Sequence, residues 1–475
     1  MNVSVARQST PWLAAVIAAS LVTLSVSELL VQIGGVDGAS TAGRGAFLVM
    51  CILIAPRFAM REWALVVMAV LLTVGLLTRP DGVADVVFAL DRAAFFAAFI
   101  TLVTLLKEAA QRSPSVLRLG EYFTRQPPGR RYYALAGGGH AMGVLLNFGA
   151  ISLLTPLILR GARATSDDPA AIAALDRQQL SALIRGFAWM IMWSPTALTQ
   201  AVLFASFPSV HMPLVAALGI GASVVMIWLG RLEGRQRSGE LLPDVERPSM
   251  ALPTGAAIRF ATICTVVICF TFITMRVVDV SAALGLMMVA PIVTVAWIFE
   301  QEWVRDFGRT SRNTASSVVE IIGASAHGLA RSAFTLGAAG FVGEAAARLL
   351  PVSRLAELIG TNAVPDWLFL MALPVLITLG GQVALSPILI VVFLSAVINQ
   401  LPSLPADPNL IVFALGAGWA MSMTASPNAS ATLLISGVTG VAPTTLTWRW
   451  NGRYALICYA VFSLSFILLA QVFPT

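Results

Sequence analysis

Long apolar runs separated by short polar loops dominate the chain. Several of them reach or exceed the roughly 20 apolar residues that a membrane-spanning helix needs, while others, such as 45–55 and 63–77, are shorter. This spacing predicts an all-α polytopic membrane protein of about eleven transmembrane segments. The runs cover 11–33, 45–55, 63–77, 87–106, 180–207, 212–229, 258–277, 280–299, 332–349, 409–436 and 454–473.

Two further apolar segments are predicted to be re-entrant hairpins. Segment 132–159 has arginines at both ends, which places both ends on the cytoplasmic side, so the chain must enter the membrane and return. Asn147 lies near the predicted tip of this hairpin. Segment 366–401 is interrupted by prolines and by Gly380-Gly381-Gln382, and it is the matching hairpin with Asn399 as its key asparagine.

Two of the predicted spans are interrupted by a Ser-Pro pair. Segment 180–207 contains Ser194-Pro195-Thr196, and segment 409–436 contains Ser426-Pro427-Asn428. Backbone that leaves the helix inside a bilayer is tolerated only where protein surrounds it or where it lines a water-filled cavity. Paired broken segments in two halves of a chain are typical of a transporter's binding site. The sequence therefore predicts two broken helices, one in each half.

The order of these segments predicts two inverted repeats. The first repeat, with an extra N-terminal helix, covers 1–229, a cytoplasmic linker covers 230–259, and the second repeat covers 260–475. An amphipathic, arginine-rich arm at 107–131 is predicted to lie at the cytoplasmic surface. The loop arginines then fall mostly on one side, which gives an orientation with the N-terminus inside and the C-terminus outside.

Composition supports the membrane assignment and excludes other classes. Of 475 residues, 57% are hydrophobic and only 11% are charged. The sequence pI near 9.6 reflects arginines in the short loops, so it indicates membrane orientation and no nucleic-acid partner. All four cysteines lie within apolar runs and form no metal motif. We expect a multi-pass protein of the inner membrane without a metal or an organic cofactor.

The hairpin and break motifs resemble those of the ion transporter superfamily, which includes divalent-anion/sodium symporters and an arsenite-efflux and sodium/proton-antiporter branch. Leu146-Asn147-Phe148-Gly149 and Ile398-Asn399-Gln400-Leu401-Pro402 are similar to its hairpin motifs. Trp193-Ser194-Pro195-Thr196 and the stretch from Thr424 to Leu434 are similar to its unwound helices. The resemblance implies an elevator mechanism, a dimer, and a substrate held between hairpin tips and unwound helices.

The candidate site is a set of small, uncharged polar side chains. Half-helix N-termini direct backbone N–H groups at an anion, while unwound carbonyls coordinate sodium, so the site suits an anion bound together with sodium ions. The missing acidic residue favours anion recognition over cation exchange. The predicted substrate-binding residues are Asn147, Gly149, Ser194, Thr196, Asn399, Thr424, Ser426 and Asn428. The predicted ion-binding residues are Asn147, Ser152, Ser194, Ser395, Asn399 and Ser426.

Several functions compete at this stage. The leading hypothesis is a sodium-coupled secondary transporter for a small carboxylate, sulfonate or oxyanion, and the alternative is a proton- or sodium-coupled efflux antiporter of the same fold. A membrane-embedded enzyme is disfavoured because no recognisable nucleophile or metal motif lies in the spans. A passive channel is disfavoured because inverted broken repeats indicate alternating access. Arg185 and His140 are further candidates, the first for substrate contact and the second for proton coupling.

Overall fold

The computed structural model of this chain is built from helices in all its described parts. It describes residues 11–36, 38–164, 167–237, 250–305, 307–351, 364–383 and 385–473. Among these residues, nine helical segments are long and apolar enough to cross a membrane. This architecture confirms an all-α polytopic membrane protein.

The helices follow the chain in an order close to that of the apolar runs. We number them consecutively, and a single π-helical turn, Thr445–Arg449, precedes the last. They are α1 Pro11–Gly34, α2 Ala39–Ile54, α3 Met60–Leu77, α4 Gly82–Gln111, α5 Pro114–Thr124, α6 Pro128–Leu146, α7 Phe148–Arg163, α8 Pro169–Met190, α9 Leu198–Ser206, α10 Met212–Arg237, α11 Thr254–Val278, α12 Ala282–Arg305, α13 Thr310–Leu349, α14 Asp366–Gln382, α15 Pro387–Asn399, α16 Pro408–Ala425, α17 Ser430–Thr439 and α18 Trp450–Val472.

The helices group into two compact units. The first unit comprises Met1–Ala109 and Met287–Leu349, and the second comprises Ala110–Leu286 and Leu350–Thr475. Each unit therefore takes its helices from both halves of the chain. The division into repeats 1–229 and 260–475 with a linker at 230–259 stays a prediction. Within that linker, the described residues extend α10 to Arg237 and begin α11 at Thr254.

The first unit is held together by small residues and by ion pairs. Gly337 of α13 lies so close to Phe47 and to the Ala93 carbonyl that a Cβ atom there would come within 3 Å of both. Close helix contact through small residues is the usual packing mode in membranes. Several ionisable side chains of these helices form ion pairs with one another. The pairs are Arg44–Asp91, Arg331–Glu62, Arg348–Asp85 and Arg348–Glu344.

Helix α13 differs from the sequence prediction. The polarity pattern predicts a polar stretch at 301–331 followed by a separate span at 332–349, but Thr310–Leu349 forms one helix of 40 residues. The polar part keeps a helical face buried, with Ile321 and Leu329 at 2% exposure, and Ser325 donates a hydrogen bond to Glu108 of α4. That buried face is the reason that the helix continues. The short amphipathic segment expected at 352–362 lies outside the described residues.

Both predicted broken helices and the first hairpin have the expected helical pattern. Helix α8 ends at Met190 and α9 begins at Leu198, while α16 ends at Ala425 and α17 begins at Ser430. Helices α6 and α7 meet at Asn147 and pack against each other. The chain therefore leaves helical geometry at both Ser-Pro pairs.

The second hairpin turns at a different place from the one that its asparagine motif suggested. Its turn lies between Gln382 and Pro387, and Asn399 is the last residue of α15, at the end far from the turn. Proline lacks a backbone N–H and fits the first position of a helix, so Pro387 begins α15. Gly380 and Gly381 weaken the end of the preceding helix, α14. The Asn399-Gln400 pair instead marks where α15 ends before Pro402.

Asp176 gives a pH-dependent prediction for α8. It precedes the predicted crossing segment 180–207, and its Oδ1 atom has no hydrogen-bond partner among the described residues. Burial raises the pKa of this carboxyl to about 6, against the opposing charge of Arg163. Since the folded pKa exceeds the unfolded value of about 3.9, the stabilising contribution is complete below pH ~4 and is lost as pH rises through 6.

We therefore expect Asp176→Asn to raise the thermal midpoint at pH 7 while changing it little at pH 3.5. The measurement is thermal unfolding in detergent at both pH values. Asp81→Asn, which alters an exposed carboxyl between α3 and α4, is the control and should follow the wild type. Equal shifts for Asp176→Asn at the two pH values would contradict the prediction.

Candidate functional site

The first helix break, between Met190 and Leu198, is joined by a hydrogen bond to α6, the first helix of the first hairpin. Thr196 donates its hydroxyl hydrogen bond to the Val144 carbonyl of α6, and its Oγ1 lies 2.7 Å from the Ser194 Oγ. Both hydroxyl side chains are almost completely buried. Residues between Met190 and Leu198 form turns, so their carbonyls and N–H groups are released from helical pairing. Ser194 and Thr196 therefore lie together at the level of the hairpin tip.

The second helix break, between Ala425 and Ser430, is likewise joined by hydrogen bonds to α14, the first helix of the second hairpin. The Ser426 hydroxyl donates to the Gly381 carbonyl at 2.6 Å, and the Asn428 amide donates to the carbonyls of Gly381 and Gln382, each at 3.2 Å. Ser426 is fully buried. The hairpin motif predicts that this break faces Asn399, and that prediction was wrong, because the turn that contacts Ser426 and Asn428 is the one after Gln382.

Contacts between hairpin and broken helix have the same sequence spacing in both halves of the chain. Gly186 touches Ala136 eight residues before Ser194, and Gly418 touches Pro374 eight residues before Ser426. Thr196 and Asn428, each two residues after the serine, donate to carbonyls that lie eight residues after those contacts, at Val144 and Gln382. Equivalent residues of the two assemblies are therefore 232 positions apart in the broken helices, as Ser194 and Ser426 are. In the hairpins they are 238 positions apart, as Val144 and Gln382 are. Gly138-Gly139 and Gly380-Gly381 are 242 apart and so are not equivalent.

The second arms of the hairpins pair crosswise. Helix α7, from the first hairpin, packs against α17, which follows the second break, and α15, from the second hairpin, packs against α9, which follows the first break. The Asn399 amide at the end of α15 donates to the Ser206 carbonyl at the end of α9 at 2.9 Å. Because these two helices end together, they run parallel and begin on the same side.

The tips and breaks present helix N-termini without fixed charges. Helices α7, α9, α15 and α17 all begin there, and none of these described helices has a side-chain hydrogen bond at its N-cap. An uncapped N-terminus offers free N–H groups and a partial positive charge to an anion. The surrounding segments 136–152, 186–200, 374–390 and 418–432 contain no Asp, Glu, Lys or Arg.

Asn147 has a backbone conformation that is rare for a residue with a side chain. Its φ is 49° and its ψ is −130°, and it separates α6 from α7. Asparagine is enriched among non-glycine residues with positive φ, but such outliers persist only where the surroundings enforce them and they cluster at functional sites. The residue is partly exposed at the hairpin tip. Next to it, Gly149 is buried in the first turn of α7.

The remaining predicted site residues are not all brought to the breaks. Thr424 is buried in the last turn of α16, where its hydroxyl bonds to Met421 of the same helix. Ser152 is exposed and bonds only to its own helix at Phe148. Ser395 is near Asn399 at the far end of α15, and its buried Oγ has no hydrogen-bond partner among the described residues. Ser395 and Asn399 therefore lie apart from Ser426 and Asn428.

Two glutamines that sequence reasoning passed over hold the broken backbone. Gln200 donates to the freed carbonyls of Ile191 and Met192 at 3.1 and 2.6 Å. Gln382 donates to the Ala425 carbonyl at 3.2 Å and accepts from the Trp448 indole at 3.0 Å. Gln200 lies five residues after Pro195, and Gln382 lies in the Gly380-Gly381-Gln382 interruption of segment 366–401, but no local pattern showed which carbonyls they contact.

Arg185 does not reach the breaks. Its guanidinium is 2.8 Å from Glu233, donates to Asn451 and to the Gly230 carbonyl at 2.8 Å each, and stacks over Tyr454 at 4.2 Å. The side chains of Arg185 and Glu233 are 3% and 2% exposed. This buried pair ties α8 to α10 and α18, which gives Arg185 a structural task.

His140 links the first hairpin to the first break. Its Nε2 accepts from the Trp193 indole at 2.9 Å, and its Nδ1 lies 3.0 Å from the Gly186 carbonyl. Indole N–H is a donor only and a carbonyl is an acceptor only, so these contacts fit the neutral ring with its proton on Nδ1. His140 thus orients Trp193, the residue before Ser194.

Solved structures place this fold among transporters. The chain is similar to the YdaH transporter of Alcanivorax borkumensis, a structure with an unusual topology, at a TM-score of 0.57 and 16% identity, covering 86% of this chain and 98% of that one. It is also similar to MtrF of Neisseria gonorrhoeae, at a TM-score of 0.52 and 12% identity, covering 86% and 94%. MtrF is described as illuminating a class of antimetabolite efflux pumps.

Comparison by sequence adds nothing to this. No family model matches the chain, and no curated protein matches it. The chain nevertheless shares its fold with these two multi-pass membrane proteins, which are transporters rather than enzymes.

Proposed function

We propose that this protein is a secondary active transporter of the inner membrane that binds a small organic or inorganic anion between its hairpin tips and helix breaks. The observation that carries the proposal is the set of four uncapped helix N-termini at segments without any charged side chain. Such termini attract an anion, while a neutral pocket has no carboxylate to attract a lone cation. Carboxylates, sulfonates and oxyanions all meet this requirement.

The transport cycle proposed here follows from the ion transporter superfamily resemblance. A dimeric scaffold holds a moving unit, and the anion crosses with sodium ions in an elevator-type motion. Sodium would use backbone carbonyls released at the breaks, together with hydroxyls such as that of Ser194. The carbonyls of Ile191, Met192 and Ala425 are already held by glutamines, so the sodium ligands would come from the other released carbonyls.

A second candidate is efflux by the same site. The similarity to MtrF, described as representing antimetabolite efflux pumps, favours this direction of transport. An efflux carrier would bind its anionic substrate at the same N-termini and couple its exit to an inward ion gradient. Direction is set by coupling stoichiometry and gradients rather than by the residues that touch the substrate.

The test uses proteoliposomes and a panel of radiolabelled carboxylates, sulfonates and oxyanions. Uptake that requires an inward sodium gradient supports the symporter, and extrusion driven by a proton or sodium gradient supports efflux. Transport at channel rates, or none with any anion while a cation is moved, would overturn the proposal. Asn428→Ala removes two hydrogen bonds that hold the second break and is expected to lower the initial rate at least about tenfold.

Two substitutions of Asn147 distinguish the role of its backbone conformation from the role of its side chain. Glycine accepts positive φ, so Asn147→Gly keeps the turn but removes the amide, whereas Asn147→Ala also strains the turn. If the amide binds the anion, Asn147→Gly raises KM with an unchanged thermal midpoint. The control is Ser465→Ala on α18, whose hydroxyl bonds only to Val461 of its own helix. Unchanged kinetics in Asn147→Gly would remove the side chain from the site.

A further inference from the structure

A cavity of about 500 Å³ lies away from the breaks, between α5, α7 and Met250, which precedes α11 in the chain. Its wall combines apolar and charged side chains and does not include any of the candidate site residues. The residues that line it are Glu121, Thr124, Arg125, Leu157, Arg160, Gly161, Ala164 and Met250.

Helix packing explains why a cavity opens here. One turn earlier, α5 touches α7 through Gly120, where a Cβ would be 3.2 Å from Leu157 and 3.6 Å from Leu154. Beyond this close contact, each helix ends in a long side chain, Arg125 at the C-cap of α5 and Arg160 in the last turn of α7. The cavity lies between these two helix ends, and Leu157 is part of its wall.

The electrostatics of the cavity favour an anion. Arg125 and Arg160 are exposed at its rim, and neither guanidinium makes a hydrogen bond or an ion pair with another described residue. Glu121 is the one acidic residue in the lining, so two arginines against one glutamate leave a net charge of +1. The apolar surface of Leu157, Ala164 and Met250 suits an anion that also carries a hydrocarbon chain, because an inorganic anion would leave this surface uncovered.

The sequence pattern around the cavity predicts that it lies at a membrane surface. Helix α5 is amphipathic, with Val116 and Leu119 buried and Leu117 and Arg118 exposed. It belongs to the arginine-rich arm that the loop charges place on the cytoplasmic side. Anionic phospholipids of that leaflet attract basic side chains near the membrane surface, and basic pockets between membrane helices bind their headgroups.

We propose that this cavity binds one anionic phospholipid of the cytoplasmic leaflet. Arg125 and Arg160 hold its phosphate, and an acyl chain covers Leu157 and Met250. A bound lipid joins α5 to α7, the second arm of the first hairpin, so it stabilises the hairpin in its packed position. The site is independent of the anion transported at the breaks.

The test measures lipid binding to the full chain in neutral detergent by native mass spectrometry and thermal unfolding. We expect phosphatidylglycerol to bind and to raise the thermal midpoint, while phosphatidylcholine does neither. In Arg125→Gln with Arg160→Gln, phosphatidylglycerol affinity should fall about 30-fold, at roughly one kcal/mol for each arginine. Glu121→Gln should tighten binding, because it removes the opposing charge.

Two controls separate a built pocket from general surface charge. Arg118→Gln removes an exposed arginine of the same helix that does not line the cavity, and affinity should be unchanged. Ala164→Phe keeps every charge but adds a bulky side chain to the cavity wall, and affinity should fall. Equal losses in Arg118→Gln and the double variant, or full binding in Ala164→Phe, would overturn the proposal. Stabilisation by inorganic phosphate alone that the same arginines control would also overturn it.

Discussion

Glu233→Gln is expected to destabilise the protein by about 3 to 5 kcal/mol, because it leaves the Arg185 guanidinium buried without its counter-charge. The pair is 2.8 Å apart and almost fully enclosed by α8, α10 and α18. Attraction between buried charges offsets the cost of removing both from water only when both are present. The measurement is the thermal or denaturant midpoint in detergent, with Arg185→Gln expected to behave alike.

The double variant Arg185→Met with Glu233→Leu distinguishes this cause from general damage. With both charges gone, no uncompensated charge remains, so much of the lost stability should return. The matched control is Arg44→Gln, which breaks the Arg44–Asp91 pair, where the side chains are 23% and 45% exposed. Exposed pairs contribute about 1 kcal/mol or less. Equal losses for the exposed and buried pairs would contradict the assigned role of Arg185.

Gly186→Ala and Gly418→Ala are expected to separate the hairpins from the broken helices. A Cβ on Gly186 would collide with the backbone carbonyl of Ala136, and a Cβ on Gly418 would lie 2.8 Å from Pro374 Cα and 2.6 Å from Ile377. Backbone cannot change rotamer to make room, so we expect losses at or above the usual overpacking range of about 1 to 3 kcal/mol.

These two glycines have matched controls on neighbouring helices. A Cβ on Gly137 of α6 or on Gly221 of α10 would meet nothing within 4 Å. Gly137→Ala and Gly221→Ala are therefore expected to be neutral or slightly stabilising, since alanine favours helix over glycine. The readouts are the thermal midpoint and the initial transport rate. Tolerance of alanine at position 186 would show that α6 and α8 do not approach as closely as the structure places them.

The helix breaks could be predicted from sequence because their signals are local. A Ser-Pro pair removes a backbone donor inside an apolar run, and both pairs end a helix within a few residues. Arginines on both sides of segment 132–159 similarly predicted a helix pair that turns at Asn147. Each of these predictions needed only the chain within about 30 residues.

The failures came from contacts between segments distant in sequence. Asn399 resembled a tip residue, but only the packing of α15 along α9 shows that it contacts Ser206 instead. Arg185 was a candidate for the substrate because its partner Glu233 lies 48 residues away, beyond any local pattern. Helix α13 was divided in two because the partners of its buried face, including Glu108 of α4, are distant in the chain.

The crosswise pairing of α7 with α17 has a consequence for biosynthesis. Residues 148–163 emerge from the ribosome well before residues 430–439, and at about 5 to 20 residues per second the interval is on the order of tens of seconds. During that time α7 has its contacts with α5, α6 and α8 but not those with α17, and Ile151, Leu154 and Ile158, which are fully enclosed in the finished protein, lie on its buried face. The first hairpin therefore completes its folding only after the last quarter of the chain has been inserted. Stalled translation before residue 430 should leave this hairpin open to proteases and to cysteine-reactive probes introduced at those positions.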